Sequence, residues 1–537
     1  MASINPSALD VKGASPMSAK AAAPRLVSVQ FTATLEDLVQ SSATVVGHAG
    51  RRATFRRPAV RGSVTALIAA VLISSTDDVN LLDWLLVIDG FVAASWWALF
   101  RHRQPNALQA LSLGALLLAI ATIAVNGTQW QLVPWEVLAG SVAAAAALRR
   151  WRPGHSRRWR RAIGRGVLVI GLGLAGLALL TAFVPALPKP SGPHSVGSEI
   201  FRWTDNQRPE TLTANPSDHR QVIAQAWYPT DASTGPAVPY FEAQRHLPGS
   251  IGGLPSFMFA SFGRVATHAT LGTAISRAQR TWPVLLLEPG LAIPREQYTA
   301  LSTDLASRGY VVIALSAPYE SAVTVLAGGH VVGQTTHPDV MGPPPHPAIQ
   351  RLIKIRAADA SFVLDRLSRL TRLDPRSPLA GHLDVKHVGI IGHSIGGATA
   401  VQVIAADPRF KVAVNLDGKL FGSQSAAHLN RPLLWIQSDG PQTTEYMQGR
   451  DRLLSRLRDD GALVTILGST HTGFTDAPAY LTALGRSVIG PATGIGSISL
   501  ADMTSMTGET ISAFIGPALG LNNGPGCHFT RPFAWTD

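Results

Sequence analysis

The 537-residue sequence has almost no cysteine and lacks the common metal and nucleotide motifs. Cys527 is the single cysteine, which excludes an intrachain disulfide framework and any cysteine-rich metal site. No His-x-x-x-His pair or acidic cluster has the spacing of metal ligands, and there is no glycine-rich phosphate loop of the P-loop type. We therefore expect neither a metal ion nor a nucleotide cofactor.

Charged residues are also scarce, at 15% of the chain against 46% hydrophobic residues, and the mean hydropathy is positive. This balance is unusual for a purely soluble enzyme and predicts that part of the chain lies in a membrane. The net charge of +12 is unevenly divided, since residues 1–187 hold 18 basic and 8 acidic side chains and residues 188–537 hold 28 and 26. Because the basic excess accompanies the hydrophobic part, it indicates membrane topology, and we do not expect nucleic-acid binding.

The N-terminal third divides into a polar arm and a hydrophobic module. Residues 1–62 are small, polar and weakly patterned, which is typical of a mostly disordered cytoplasmic arm, with a start site placed too early as the alternative. Residues 63–187 contain four long apolar runs and a shorter one, Ser63–Ser75, that is too short to be assigned as a span. We predict a transmembrane helical module of four or five spans. The four long runs are Leu81–Phe100, Ala107–Val125, Leu132–Leu148 and Gly164–Ala186.

Arginines between the apolar runs predict the orientation of this module. The loop Arg149–Arg165 carries eight arginines, whereas the loop near Asn126–Gln131 carries no charge. The positive-inside rule places the arginine loop in the cytoplasm, so that the chain after about Ala186 is extracytoplasmic. Asp89 lies near the middle of the first long run, and we interpret it as a carboxyl that faces the helix bundle.

A proline-rich linker, Pro185–Pro193, separates the module from a region of different pattern. Over residues 188–537, short β-like runs alternate with helical runs, which predicts an α/β domain with a mainly parallel sheet and helices on both faces. Residues 241–280 do not fit the alternation, and we predict a helical flap there, with an ordinary core helix as the alternative. The predicted strands are 221–228, 283–287, 310–315, 388–391, 411–416, 432–437 and 462–467, and the main predicted helices are 295–307, 347–370 and 443–457.

The most informative motif is Gly392-His-Ser394-Ile-Gly396, which follows an apolar strand-like run and precedes an alanine-rich helical run. Glycines on both sides of the serine permit a sharp strand-to-helix corner that exposes the hydroxyl. The pattern alone is weak in a chain with 49 glycines, but its context favours a nucleophile elbow at Ser394. The backbone N–H of Ile395, next after the nucleophile, is then a candidate oxyanion donor.

A serine nucleophile needs a histidine to take its proton and a carboxylate to orient that histidine. His471 follows the predicted strand 462–467 and is our candidate base, whereas His393 inside the elbow is interpreted as pointing away from its neighbour. Two acids follow predicted strands on the same sheet edge, Asp417 and Asp439. The spacing alone does not decide between them.

Several segments of the C-terminal region resemble the platelet-activating-factor acetylhydrolase family, in its plasma and type II branch. The resemblance covers about residues 195–520 and implies an α/β-hydrolase fold and calcium-independent cleavage of short or oxidised acyl chains from phospholipids. The family's acid lies about two dozen residues after its serine, so the resemblance favours Asp417 over Asp439. The segments are WYPTDA (227–232), PGLAIPREQYTALSTDLASRGYVV (289–312), GHSIGGATA (392–400), NLDGKLFG (415–422) and GSTHTGF (468–474).

The same resemblance suggests the second oxyanion donor. The turn Glu288-Pro289-Gly290-Leu291 aligns with the family's histidine-glycine turn, which makes the Leu291 N–H the candidate. Pro289 stands where the family usually has histidine, so the shape of the loop and the effect of the charge of Glu288 are open at this point.

These observations predict a membrane-anchored serine esterase or lipase with Ser394, His471 and Asp417 as its triad. Its substrates would be short-chain or oxidised acyl esters, including phospholipids of the platelet-activating-factor type, and its other partner the lipid bilayer. Attachment of this kind resembles bacterial members of the family with N-terminal helices, which implies a multi-pass protein of the bacterial inner membrane. The alternatives are an acyltransferase that uses the same acyl-enzyme and a non-catalytic membrane protein that only binds or transports.

Overall fold

The computed structural model describes most of the C-terminal region and parts of the N-terminal third. The predicted spans 81–100 and 164–186 lie largely or wholly outside the described residues, as do Asp89 and Cys527. The described residues are 26–29, 105–126, 129–137, 140–141, 173, 180–181, 184–244, 250–251, 254–335, 346–422, 429–457 and 460–521.

A ten-stranded sheet forms the centre of the molecule. In spatial order it runs β1-β14-β13-β12-β11-β7-β8-β3-β2-β6, and all neighbours are parallel except the pairs β2–β3 and β3–β8. Four two-residue strands form two separate ribbons, β4–β5 and β9–β10. The strands are β1 Leu26–Val29, β2 Ser195–Pro209, β3 His219–Thr230, β4 Ser250–Ile251, β5 Leu254–Pro255, β6 Ala269–Leu271, β7 Trp282–Glu288, β8 Val311–Leu315, β9 Thr324–Val325, β10 Val331–Val332, β11 Leu383–His393, β12 Phe410–Leu416, β13 Leu433–Ser438 and β14 Gly461–Ile466.

Helices cover both faces of the sheet. In strand β7, Val284 and Leu286 pack into the core on one face of the sheet, and Leu285 and Leu287 pack into the core on the other. Every residue of the strand is buried, so both faces must be covered. Helices α3, α5 and α6 contribute to the first core, and α2 and α8 to the second. The described α-helices are α1 Pro105–Asn126, α2 Thr299–Ser307, α3 Pro347–Ser368, α4 Leu370–Leu373, α5 Ile395–Ala406, α6 Thr444–Leu457, α7 Ala483–Thr493 and α8 Leu500–Ala518, and the short 3₁₀ helices are Ser256–Arg264, Arg295–Tyr298, Ala327–Gly329, His471–Phe474 and Ala477–Tyr480.

The α/β prediction for the C-terminal region is therefore confirmed at the level of the sheet, and the seven predicted strands coincide with β3, β7, β8, β11, β12, β13 and β14. The register aligns the carboxyl ends of the central strands, since Gly392 pairs with Glu288 on one side and with Asn415 on the other. The loops that follow these strands thus meet at a single edge, where ligands bind in open α/β sheets.

Two segments differ from the sequence-based expectation. Within the arm predicted as disordered, Leu26–Val29 forms an edge strand that pairs in parallel with β14, because its backbone completes hydrogen bonds that β14 leaves open on that side. The predicted flap at 241–280 contains the 3₁₀ helix Ser256–Arg264, in which Phe259 and Phe262 are buried and Phe257 is exposed. Other described residues of this segment form the short strands β4, β5 and β6, of which β6 lies at the sheet edge.

Helix α1 includes all residues of the predicted span Ala107–Val125. Its Leu113, Leu117, Ile120 and Ile123 are each more than 40% exposed. Within the described ranges, none of the helices reaches the combination of length and hydropathy that crossing a bilayer requires. The four- or five-span module of residues 63–187 stays a prediction.

Candidate active site

Ser394 lies at the corner between strand β11 and helix α5. Its backbone adopts φ 57° and ψ −121°, a region that non-glycine residues rarely occupy. A Cβ at Gly392 would overlap the carbonyl oxygen of Gly396, and a Cβ at Gly396 would overlap the carbonyl oxygen of Glu288. The glycines are thus required by close backbone approach, and they allow the sharp corner that presents the serine hydroxyl at the sheet edge.

Three side chains from separate loops form one chain of hydrogen bonds at this corner. His471 Nε2 lies 2.9 Å from Ser394 Oγ, and His471 Nδ1 lies 2.8 Å from Asp417 Oδ2. Asp417 directly follows β12, and His471 opens the 3₁₀ helix that follows β14. Because both strands end at the same edge as β11, the fold joins residues that are 77 and 54 positions apart in sequence.

The carboxylate of Asp417 is buried and held by several donors. The Ser438 N–H and hydroxyl donate to it at 3.0 and 2.9 Å, and Gln442 Nε2 and the Tyr446 hydroxyl donate at 3.1 and 3.2 Å. Burial raises the pKa of Asp417, but the hydrogen bonds from His471 and Ser438 outweigh burial and lower it below the usual value. The carboxylate therefore stays ionised and faces His471 Nδ1.

Asp439, the alternative acid, lies elsewhere. It is exposed, and its Oδ2 accepts a hydrogen bond from the Gly468 N–H at 3.1 Å. Asp417 differs because its φ of 53° turns the chain sharply after β12, and Asn415 stabilises that turn by pairing with both the N–H and the C=O of Gly418. The turn brings the Asp417 carboxylate to His471, and the structure does not bring Asp439 there.

The loop after β7 packs against the elbow from the other side. The Gly290 N–H donates to the Tyr298 hydroxyl at 2.8 Å, and Arg356 Nη1 donates to the Pro289 carbonyl oxygen at 2.6 Å. Leu291 follows in this loop and is partly buried, whereas Ile395 is buried at the start of α5. Both predicted oxyanion donors thus belong to segments that border Ser394.

Glu288 does not bring a negative charge to this loop near neutral pH. Its side chain is 1% exposed, and burial raises its pKa to about 8 despite the opposing effect of Arg356. The carboxyl is therefore mainly protonated at pH 7, and Glu288 places little negative charge beside Pro289.

The sequence-based reasoning missed two residues of the site, His393 and Tyr298. His393 does not simply point away from its neighbour: its Nδ1 lies 2.8 Å from the Tyr298 hydroxyl and its Nε2 lies 2.9 Å from the His471 carbonyl oxygen. Burial, with His471 nearby, lowers the pKa of His393 to about 3, so the ring is neutral. Adjacency of His393 to the serine was the only signal of a role in the sequence.

A mainly parallel sheet with helices on both faces and a serine on a strand-to-helix corner defines an α/β-hydrolase-like protein. Residues 184–337 and 371–521 match the model of the family described as platelet-activating factor acetylhydrolase, isoform II. The chain belongs to this family.

Curated relatives and a solved structure agree with this assignment. A platelet-activating factor acetylhydrolase of Cavia porcellus is 24% identical over 64% of this chain and 80% of its own length. A probable 1-alkyl-2-acetylglycerophosphocholine esterase of Arthroderma benhamiae is 25% identical over 57% and 80%. The ferulic acid esterase from Streptomyces cinnamoneus has a TM-score of 0.54 and 29% identity, covering 65% of this chain and 96% of its own. The protein is accordingly a carboxylic ester hydrolase.

Proposed function

We propose that the protein hydrolyses short-chain or oxidised acyl esters, including phospholipids of the platelet-activating-factor type, through a Ser394–His471–Asp417 triad. The observation that carries the proposal is the continuous contact from Ser394 Oγ through both nitrogens of His471 to Asp417. This arrangement is what nucleophilic acyl transfer by serine requires.

The hydrogen bonds among Asp417, His471 and Ser394 allow the serine proton to pass to His471. The Asp417 carboxylate accepts the His471 Nδ1–H, which leaves Nε2 as an acceptor for the Ser394 hydroxyl proton. Ser394 Oγ then attacks the ester carbonyl, and the resulting imidazolium donates its proton to the departing alcohol. A water molecule repeats the sequence on the acyl-enzyme, releasing the carboxylic acid and restoring the serine.

The tetrahedral intermediates need donors for their negatively charged oxygen. We assign this role to the main-chain N–H groups of Ile395 and Leu291, which lie on the two segments that border Ser394. One such donor typically contributes about 3 kcal/mol of transition-state stabilisation. Main-chain donors are insensitive to the replacement of histidine by Pro289, since the side chain at that position takes no part in donation.

The substrate proposal draws on the relatives. Their names specify platelet-activating factor or 1-alkyl-2-acetylglycerophosphocholine, in which a short acyl group is the ester to be cleaved. A panel of nitrophenyl esters of increasing chain length, followed by phospholipids, tests it. We expect activity to fall as the acyl chain lengthens, and equal turnover of long unmodified acyl chains would contradict the proposed preference.

A fluorophosphonate probe tests the catalytic proposal directly, because it phosphonylates only an activated serine. We expect stoichiometric labelling of the wild-type protein and none of Ser394→Ala. Folded wild-type protein that resists labelling and lacks esterase activity would overturn the triad assignment.

We further propose that the hydrolase region is attached to the membrane through residues 63–187. The apolar runs of the sequence and the arginine-rich loop support this proposal. Attachment would hold the site close to lipid and raise the local concentration of an amphiphilic substrate.

A further inference from the structure

We propose that Tyr298 and His393 are positioning residues. They connect the loop Glu288–Leu291, called the oxyanion loop below, to the loop that carries His471 and fix the position of one loop relative to the other. The inference rests on the proposed function, because it assigns the alignment of the Leu291 N–H to these two side chains. Neither residue touches the substrate in this proposal, and both act through the main chain of their partners.

Tyr298 and His393 form a hydrogen-bonded bridge from the Gly290 N–H to the His471 carbonyl oxygen. These two end groups determine the direction of each hydrogen bond in the bridge. The His471 carbonyl oxygen can only accept, so the His393 Nε2 that lies 2.9 Å away carries the proton. The neutral ring then accepts at Nδ1, and the Tyr298 hydroxyl donates to it at 2.8 Å. The oxygen of that hydroxyl accepts the Gly290 N–H, also at 2.8 Å. A single tautomer and a single hydroxyl orientation therefore satisfy the entire bridge.

The bridge acts on the peptide that precedes the proposed oxyanion donor. Tyr298 holds the N–H of the Pro289–Gly290 peptide, while Arg356 Nη1 holds its carbonyl oxygen at 2.6 Å. The carbonyl oxygen of the next peptide, which carries the Leu291 N–H, accepts the Ile293 N–H at 3.3 Å. This peptide is therefore held both by that turn and by the fixed peptide before it. The positioning of this donor thus depends on Tyr298 and Arg356 together.

Packing shows that the loop rests directly on His393. A Cβ at Gly290 would lie 3.1 Å from His393 Nδ1 and 2.8 Å from Ile293 Cδ1, so the loop has no room for a side chain there. Tyr298 is 0% and His393 1% exposed, so both rings of the bridge are shielded from bulk solvent. The histidine before the nucleophile therefore occupies the space between the oxyanion loop and the loop of the base.

A bridge that only stabilised the core would give a different mutational pattern from one that positions a donor. Tyr298→Phe removes one oxygen and keeps the ring. We expect kcat to fall about 10- to 100-fold with KM changed less than about threefold. The reason is that a displaced oxyanion donor reduces the stabilisation of the transition state but not the binding of the ester. The inhibition constant of a trifluoromethyl ketone, whose adduct resembles the tetrahedral intermediate, should rise by a similar factor.

Tyr228→Phe is the matched control. Tyr228 is also 0% exposed and its hydroxyl also donates a hydrogen bond, in this case to the main-chain oxygen of Thr273 at 2.7 Å. It lies on β3, three strands away from β11. We expect this variant to lose stability without a change in kcat or in the inhibition constant. If Tyr298→Phe behaves in the same way, the positioning proposal is wrong.

His393→Gln provides a second measurement if Tyr298→Phe does not fold. An amide near the position of Nε2 keeps the donor to the His471 carbonyl and removes the acceptor for Tyr298. Where both variants fold, the double variant should lose little more activity than the more damaged single variant, because both changes break the same bridge. Additive losses would count against the bridge. Labelling of the wild type by the fluorophosphonate keeps this result separate from the proposed triad, which fails if folded wild-type protein is neither labelled nor active as an esterase.

Discussion

At the scale of single residues, the proposed acid can be tested against its alternative. Asp417→Asn keeps the size of the side chain but presents an amide to His471 Nδ1, which favours the wrong tautomer. We expect kcat to fall by about 10³- to 10⁴-fold. Asp439→Asn is the matched control because Asp439 is exposed and its carboxylate accepts the Gly468 N–H, away from His471.

Both variants should be assayed for ester hydrolysis side by side. A loss confined to Asp439→Asn would show that the acid has been assigned to the wrong strand end. The sequence left this choice open because both acids follow adjacent parallel strands. In the structure, the turn at Asp417, with its φ of 53°, places this carboxylate beside His471, whereas the Asp439 carboxylate accepts the Gly468 N–H.

Glu288 gives a residue-scale prediction about pH. Its pKa is about 8 in the folded protein and near 4.5 when the chain is unfolded, so between these values the unfolded state binds fewer protons. The stability contribution of this group is therefore lost as the pH rises from 4.5 to 8. Glu288→Gln removes the titration, so the variant should gain stability relative to the wild type, with a difference in the free energy of unfolding that is roughly 2–4 kcal/mol larger in its favour at pH 8 than at pH 5.

Chemical denaturation at the two pH values measures this difference. The buried Asp476, whose pKa is raised to about 7, titrates with the same sign but is present in both proteins and cancels. An equal difference between variant and wild type at both pH values would show that Glu288 does not titrate in this range.

How far the sequence predicts the site depends on the kind of signal each residue carries. Ser394 lies in a glycine-bracketed motif and His471 follows a strand, so local pattern was enough to select both. Tyr298 and His393 carry no such signal, because a tyrosine after the polar run Arg295–Gln297 and a histidine beside a serine are compatible with many environments. Their relation exists only after β7 and β11 have paired.

At the scale of elements, the sequence predicted the buried parallel strands well and the edges poorly. Continuous apolar runs such as Trp282–Glu288 are typical of strands buried on both faces. The 15-residue strand Ser195–Pro209 was not predicted, because partly exposed polar residues interrupt its pattern along much of its length. Its antiparallel pairing with β3, and not its own composition, stabilises it.

The start of helix α2 provides an element-scale prediction. The buried Asp476 carboxylate accepts the main-chain N–H groups of Thr299 and Ala300, each at 3.2 Å, and the Tyr240 hydroxyl at 3.0 Å. Asp476 thus connects the segment after His471 to the start of α2 through hydrogen bonds. Asp476→Ala would leave three buried donors without this acceptor, and we expect a loss of about 2–4 kcal/mol in the free energy of unfolding.

Ser499→Ala is the comparison for that measurement. Ser499 accepts the Asp502 N–H at the start of α8, where the bond is exposed to solvent. Its removal should cost only about 1 kcal/mol, because water replaces the lost acceptor. Equal losses for the two variants, measured by denaturant titration, would contradict the proposed importance of Asp476.

At the scale of the whole molecule, the charge and hydropathy of the chain predict its orientation in the membrane. Residues 1–187 carry the basic excess, and eight of their arginines lie in the loop Arg149–Arg165. If that loop is cytoplasmic, one further span takes the chain across the bilayer before the linker Pro185–Pro193. The ester hydrolase region would then face the extracytoplasmic side of the membrane to which we propose it is attached.

A reporter enzyme that is active only outside the cytoplasm tests this orientation in a bacterial host. Fused after Pro193 it should be active, and fused after Arg158, within the arginine loop, it should be inactive, because a single span separates the two positions. Activity at Arg158 with inactivity at Pro193 would reverse the proposed topology. Equal activity at both positions would show that residues 164–186 do not cross the membrane, since the two fusion points would then lie on the same side.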